Sequence, residues 1–155
     1  MDKVMQMALE RARHTMNENI GGPFGAAVIN SEGEILSVSS NSVLRDNDPT
    51  AHAEVNAIRE ACRVIGSYDL SGCVLYTTAY PCPMCLSAII WANIKKVYFG
   101  CTPKDAENIG FRDDFIYRFI ESKCQDNTIL DIKELNREDC LQLFNEYQKK
   151  NKTIY

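Results

Sequence analysis

The sequence predicts an α/β fold, a three-layer α/β/α sandwich in which helices cover both faces of a mixed, five-stranded sheet. Helix-like and strand-like stretches alternate along the 155 residues, an order typical of this class. Ser31-Glu32-Gly33 joins two strand-like runs and predicts a hairpin. A helical pattern between two apolar strands predicts a parallel crossover, so the sheet combines both strand directions. We expect residues 1–155 to form a single domain.

The local sequence pattern predicts where each helix and strand lies. In the first helix apolar residues recur at helical spacing until Gly21-Gly22, and the second helix begins behind Pro49-Thr50. The polar composition of residues 41–50 predicts a loop. The predicted helices are residues 2–19, a segment opened by His52, and residues 83–92, 112–122 and 137–150; the predicted strands are residues 26–30, 34–39, 73–78, 96–100 and 129–132.

Charge and hydropathy exclude several classes of protein. The net charge of −4 and the pI near 5.2 argue against a large phosphate-binding surface, so we expect a small substrate and no nucleic-acid partner. The longest apolar runs are too short to span a bilayer. The first residues lack the apolar stretch of a signal peptide, and we therefore expect a cytoplasmic protein.

The seven cysteines are an odd number, and only Cys82 and Cys85 lie close together. This pattern is no disulfide framework. Cys62 and Cys73 fall in apolar helix and strand patterns, which predicts inert core thiols.

Two short segments thirty residues apart carry the chemistry: His52-Ala53-Glu54 and Pro81-Cys82-Pro83-Met84-Cys85. Cys82 and Cys85 project from one side of a helical turn, and the prolines predict that this turn opens the helix. With His52 they supply three zinc ligands, which leaves the fourth tetrahedral position for a water whose pKa falls towards ~7. Glu54 is predicted to stay off the metal and to carry protons.

Taken singly, these residues also fit simpler roles. A lone CxxC in a cytosolic protein is often a redox pair or half of a structural zinc knuckle. His52 alone would fit a hydrogen-bonded core histidine, and Glu54 alone a solvated helix face. A structural zinc site needs a second pair of close ligands, however, and the sequence contains no other CxxC, CxxH or HxxxH. The combination favours one catalytic zinc per chain.

Further short motifs occur at residues 21–26, 48–54, 57–59 and 81–86, together with Asn41, and two more segments stand near the end at residues 110–117 and 151–155. The first group resembles segments shared by many nucleobase and tRNA deaminases, and the last two segments resemble guanine deaminases in particular. Nearly the whole chain is thus similar to the small bacterial guanine deaminases of the cytidine-deaminase-like superfamily. The resemblance implies hydrolysis of guanine to xanthine and ammonia, in purine salvage or catabolism, with attack at C2.

The resemblance also implies roles for individual residues. Phe24 stacks on the purine, Asn41 hydrogen-bonds the ring through its donor and acceptor, and Ala53 offers a backbone N–H. Asp113 contacts the exocyclic amino group or assists its departure. In relatives the C-terminal segment, here residues 103–155, is exchanged between subunits, so Asp113 and Tyr155 are expected to complete the partner's pocket in a homodimer.

Ordinary structural roles remain open for the same residues. Phe24 could be plain core, Asn41 a turn residue, Asp113 a helix N-terminal charge and Tyr155 a frayed terminus. Trp91, on the CxxC helix, is either core or a wall of the substrate pocket.

The chain departs from its relatives at Tyr80, where they commonly carry glutamate, and this leaves the substrate open among aminated rings. Deamination of guanosine, cytosine or ammeline, deamination of tRNA adenosine, and a noncatalytic zinc module are the alternative functions.

Overall fold

The computed structural model describes residues 2–155. The chain divides into two compact units, one ending at Asp114 and the other running from Phe115 to Tyr155. No helix in residues 2–155 is long and apolar enough to cross a membrane.

The first unit contains most of the regular structure. Its elements are α1 (Lys3–Asn17), β1 (Gly25–Ile29), β2 (Ile35–Ser40), α2 (Val43–Asp46), α3 (Ala53–Ile65), β3 (Val74–Ala79), α4 (Pro83–Trp91), β4 (Lys96–Cys101) and α5 (Pro103–Asn108). The strands form one sheet in the order β2-β1-β3-β4. β1 is antiparallel to both neighbours, whereas β3 and β4 are parallel. The predicted hairpin and the predicted parallel crossover are therefore confirmed.

Helices cover both faces of this sheet. Gly25 of β1 faces α1 so closely that an added Cβ would overlap the carbonyl oxygen of Ala8. Ala26, the next residue, packs in the buried cluster that contains Ala57 and Ala61 of α3. Because successive strand residues point to opposite faces, α1 and α3 lie on opposite sides. The predicted three-layer arrangement is confirmed for this unit.

The second unit contains α7 (Arg137–Lys149) and most of α6 (Asp114–Glu121). Here the prediction of a fifth strand at residues 129–132 is wrong, and the sheet has four strands. The side chain of Asp126 accepts hydrogen bonds from the backbone N–H and the hydroxyl of Thr128, while its carbonyl accepts from Ile129 and Leu130. These local bonds fold the segment into a turn and use donors that a strand ladder would need.

The other predicted elements match the structure to within two residues at each end. Two short helices were missed: α2, inside the predicted polar loop, and α5. Cys73 is buried and Cys62 is half-buried, and burial raises the pKa of both thiols, as expected for inert core cysteines.

Candidate metal centre

Two helix N-termini bring the predicted metal ligands together. His52 is the N-cap residue of α3, and Cys82 is the N-cap residue of α4. Pro83 occupies the first turn of α4, where its missing N–H costs no hydrogen bond, and Cys85 follows in the same turn. β3 ends at Ala79, so the strand delivers the chain directly to this turn.

The three ligand atoms are spaced as a tetrahedral zinc site requires. The Nδ1 atom of His52 lies 3.6 Å from the Sγ of Cys82 and 3.5 Å from the Sγ of Cys85. With Zn–S bonds of about 2.3 Å and Zn–N bonds of about 2.0 Å, tetrahedral angles place sulfur and nitrogen ligands about 3.5 Å apart. All three atoms lie within 4.8 Å of one another, and no fourth such ligand in residues 2–155 joins the cluster. The set fits a catalytic zinc with one open position.

The two thiols titrate as a pair. The pKa of Cys82 is lowered, first by the neighbouring thiol of Cys85 and then by His52, which lies beside it. The proximity of Cys82 raises the pKa of Cys85, and burial adds to the increase. A divalent cation bound between them favours loss of both protons, so zinc affinity depends on pH.

Glu54 lies beside the ligands without joining them. Its side chain is only 6% exposed, and one carboxylate oxygen accepts a hydrogen bond of 2.9 Å from the Thr77 hydroxyl. The other oxygen is 3.5 Å from the Sγ of Cys85. Burial raises the pKa of Glu54, while the hydrogen bond from Thr77 acts in the opposite direction. The alternative of a solvated helix face is therefore wrong for Glu54.

Asp113 lies in the first unit, and its pKa is affected by the charge of Cys82 in the same chain. Asp113 is half-buried. Burial raises its pKa, and the negative charge of Cys82 raises it further. Asp113 was expected to complete the partner's pocket, whereas the structure brings it close enough to the Cys82 of its own chain for the two charges to interact.

Phe24 has an aromatic partner, Phe111, that lies far from it in the sequence. The two rings meet edge to face, with centroids 4.9 Å apart and an interplanar angle of 88°. Phe24 also packs against the buried cluster of the sheet. A Cβ on Gly22 would crowd both rings at 3.0 to 3.1 Å, so glycine leaves room for the pair. Phe111 lies in the segment that resembles guanine deaminases, but spacing alone did not connect it with Phe24.

Asn41 is buried, and the oxygen and the nitrogen of its side-chain amide have different roles. Its Oδ1 accepts from the backbone N–H groups of Gly22 and Val43, at 3.2 and 3.1 Å. These two bonds occupy the acceptor, so only the Nδ2 donors are available to a ligand. The expectation that Asn41 offers a ligand both a donor and an acceptor is corrected in this respect. Gly21 allows the close approach, since an added Cβ would overlap Asn41.

The remaining predicted site residues have different settings. Ala53 is fully buried at the first position of α3, where backbone N–H groups lack partners within the helix. Trp91 ends α4 and is 73% exposed, which excludes the core alternative. Tyr155 is 80% exposed in the second unit. Tyr80 packs edge to face on Phe99, with ring centroids 5.0 Å apart.

The fold and this ligand set define a zinc-dependent deaminase of the cytidine deaminase class. Residues 1–101 match the cytidine and deoxycytidylate deaminase zinc-binding region, and the chain belongs to this family.

Individual relatives are similar over much of the chain. The guanine deaminase of Bacillus subtilis is 47% identical over 125 residues, 81% of this chain and 80% of the relative. A crystal structure of guanine deaminase from Bacillus subtilis superposes with a TM-score of 0.92 at 40% identity, covering 100% of this chain and 99% of that one. A tRNA-specific adenosine deaminase of Aquifex aeolicus is 43% identical over 64% of this chain and 65% of the relative.

Proposed function

We propose that this protein catalyses the hydrolytic deamination of guanine to xanthine and ammonia, in purine salvage or catabolism, with one zinc per chain. One observation carries the reaction type: a buried carboxylate, Glu54, lies 3.5 Å from a sulfur of a three-ligand metal site without belonging to it. The similarity to guanine deaminase of Bacillus subtilis supports the choice of guanine.

Glu54 moves protons in this proposal. When held by His52, Cys82 and Cys85, zinc would lower the pKa of a water at its open position, so that the water could add to C2 of the ring. Glu54 would take a proton from the attacking water and return one to the amino nitrogen as the bond between that nitrogen and C2 breaks and ammonia leaves. The hydroxyl of Thr77 fixes one carboxylate oxygen, which leaves the other directed to the cysteine side of the site.

Other side chains hold the purine. Phe24 stacks on the ring, and Phe111 supports Phe24 through the edge-to-face contact. The Nδ2 group of Asn41 and the backbone N–H of Ala53 donate to acceptors on the ring. Asp113, close enough to Cys82 to feel its charge, contacts the exocyclic amino group or assists its departure.

We further propose a homodimer in which the second unit, Phe115–Tyr155, is exchanged, since Asp113 lies near the Cys82 of its own chain. Trp91 and Tyr155 then line the pockets of the assembly. Their exposures of 73% and 80% support this, since large exposed aromatic residues are typical of interfaces. Seven free cysteines agree with a cytoplasmic location.

Deamination of tRNA adenosine is the alternative favoured by a specific observation, the similarity to the Aquifex aeolicus enzyme. The net charge of −4 argues against it, because phosphate backbones require a basic surface. Deamination of another aminated ring is compatible with the same metal site, and only the walls of the pocket would differ.

A substrate panel tests the proposal. Zinc-loaded protein is incubated with guanine, guanosine, cytosine, adenine, ammeline and a tRNA, and released ammonia is measured. We expect guanine to have the highest kcat/KM. If guanine ranks last, the substrate assignment fails, and if zinc is bound but no compound releases ammonia, a noncatalytic zinc module is supported instead.

A further inference from the structure

We propose that the first unit contains a second binding site, for a small phosphate-bearing molecule of nucleotide size. The site is a cavity of about 460 Å³, within the range of small-molecule pockets. We call it the basic cavity, after the basic side chains that line it: Arg11, His14, Arg45, Arg59 and Arg63. No ligand of the metal centre lines it.

Helix geometry accounts for the convergence of these cations. Arg11 and His14 are three residues apart on α1, and Arg59 and Arg63 are four apart on α3, so each pair shares one helix face. α1 and α3 cover opposite faces of the sheet. β2 lies at the edge of the sheet between them and contributes to the cavity. Basic side chains from the helices on both faces of the sheet therefore converge at its edge strand, β2.

Several of these basic side chains are available to a ligand. The side chains of Arg11, His14 and Arg63 have no hydrogen-bond or ion-pair partner among residues 2–155. By contrast, Arg45 pairs with Asp46 at 2.7 Å, and Arg59 lies 3.8 Å from Asp48. Unpaired guanidinium groups favour a bidentate oxyanion such as phosphate.

The charge of the lining matches a phosphate ester. Its four arginines outnumber its two acidic side chains, Asp46 and Glu60, by two. Glu60 already accepts a hydrogen bond of 2.6 Å from the Ser39 hydroxyl. A phosphate monoester carries a charge of about −1.5 to −2 at pH 7. This local excess of positive charge contrasts with the net charge of −4 on the whole chain.

The rest of the lining is polar and accommodates more than a lone phosphate. Thr15 and Ser42 are 1% and 3% exposed, and Asn56 donates to the Ser42 hydroxyl at 3.0 Å. Hydroxyl and amide groups of this kind bind sugar hydroxyls as well as phosphate oxygens. The volume and the polar floor together favour a nucleoside monophosphate over inorganic phosphate.

Calorimetry on the zinc-loaded protein tests this site. Guanosine monophosphate, inorganic phosphate, guanosine and a tRNA are titrated into the wild type, into the Arg11→Gln/Arg63→Gln double variant and into Arg13→Gln. Arg13 is also exposed on α1 but does not line the cavity, so it controls for the loss of charge. The substituted arginines are exposed and lie outside the metal centre, so melting temperature and guanine turnover should stay unchanged.

We expect one guanosine monophosphate to bind per chain, at least tenfold more weakly in the double variant and with unchanged affinity in Arg13→Gln. Guanosine should not show this dependence on the arginines. The proposal is overturned if no nucleotide binds saturably, if both variants lose affinity equally, or if only tRNA binds. Equal affinity for inorganic phosphate would contradict the assignment to a nucleotide. Because binding is read as heat, the result does not depend on whether guanine is the substrate.

Discussion

Replacing Glu54 with glutamine removes the proton carrier and little else. Glutamine has the same shape and retains an oxygen that can accept from Thr77, so the packing around the 6%-exposed side chain persists. Glu54 is not one of the metal ligands, and zinc content should remain one per chain. General acid–base catalysis typically contributes about 10²- to 10⁴-fold, so we expect kcat to fall by about a thousandfold, or about 4 kcal/mol of barrier.

The assay combines ammonia release from guanine with zinc analysis of the same preparation. Glu10→Gln is the matched control, because it makes the same chemical change at an exposed glutamate of α1 that pairs with Gln6. That variant should keep wild-type kcat. If Glu54→Gln retains one zinc and at least a tenth of wild-type kcat, Glu54 is not the proton carrier and the reasoning fails.

Two further predictions concern the surroundings of the site, and a third concerns the packing of α1 on the sheet. Thr77→Val removes the hydroxyl that positions Glu54. Because one hydrogen bond to a charged group is lost, steady-state assays should give a kcat about tenfold lower at unchanged KM. An unchanged kcat would contradict this. Phe111→Ala removes the ring that packs against Phe24. Because such an aromatic pair is worth about 1 kcal/mol, KM for guanine should rise about fivefold at nearly constant kcat. A fall in kcat alone would count against a binding role. Gly25→Ala places a methyl group against the carbonyl of Ala8. Urea denaturation should therefore give a free energy of unfolding lower by about 1–3 kcal/mol. An unchanged midpoint would show that α1 does not pack so closely on β1.

The metal ligands were predictable because their signal is local. The i, i+3 spacing of Cys82 and Cys85 and the prolines around them define both a ligand pair and a helix start. The approach of this turn to His52 belongs to the tertiary structure, which local sequence patterns do not show. It was inferred from the number of ligands that zinc requires, and the spacing of the three atoms confirms it.

Thr77 and Phe111 were missed because their roles depend on packing between distant segments. Threonine is common in strands of every kind, and only the packing of α3 and α4 near β3 places this one beside Glu54, 23 residues earlier. Trp91 was left open because α4 is apolar on all sides, so periodicity could not identify its buried face. In the structure Ile89 is 3% exposed while Trp91 is 73% exposed.

The sequence carries local signals for two further features, the helix α5 and the turn at residues 126–130. Thr102 and Asp105 form a capping box around Pro103, which predicts the short helix α5. The Asp126-x-Thr128 pattern marks a turn, and it outweighs the brief apolar run that suggested a fifth strand.

X-ray absorption at the zinc edge of the loaded protein tests the central claim most directly, because it counts the atoms bound to the metal. We predict two sulfurs at about 2.3 Å, one imidazole nitrogen at about 2.0 Å and one further light atom from water. Cys85→Ser should reduce the sulfur count to one. A third sulfur, a second imidazole, or a carboxylate in the fourth position would contradict an open zinc site held by His52, Cys82 and Cys85.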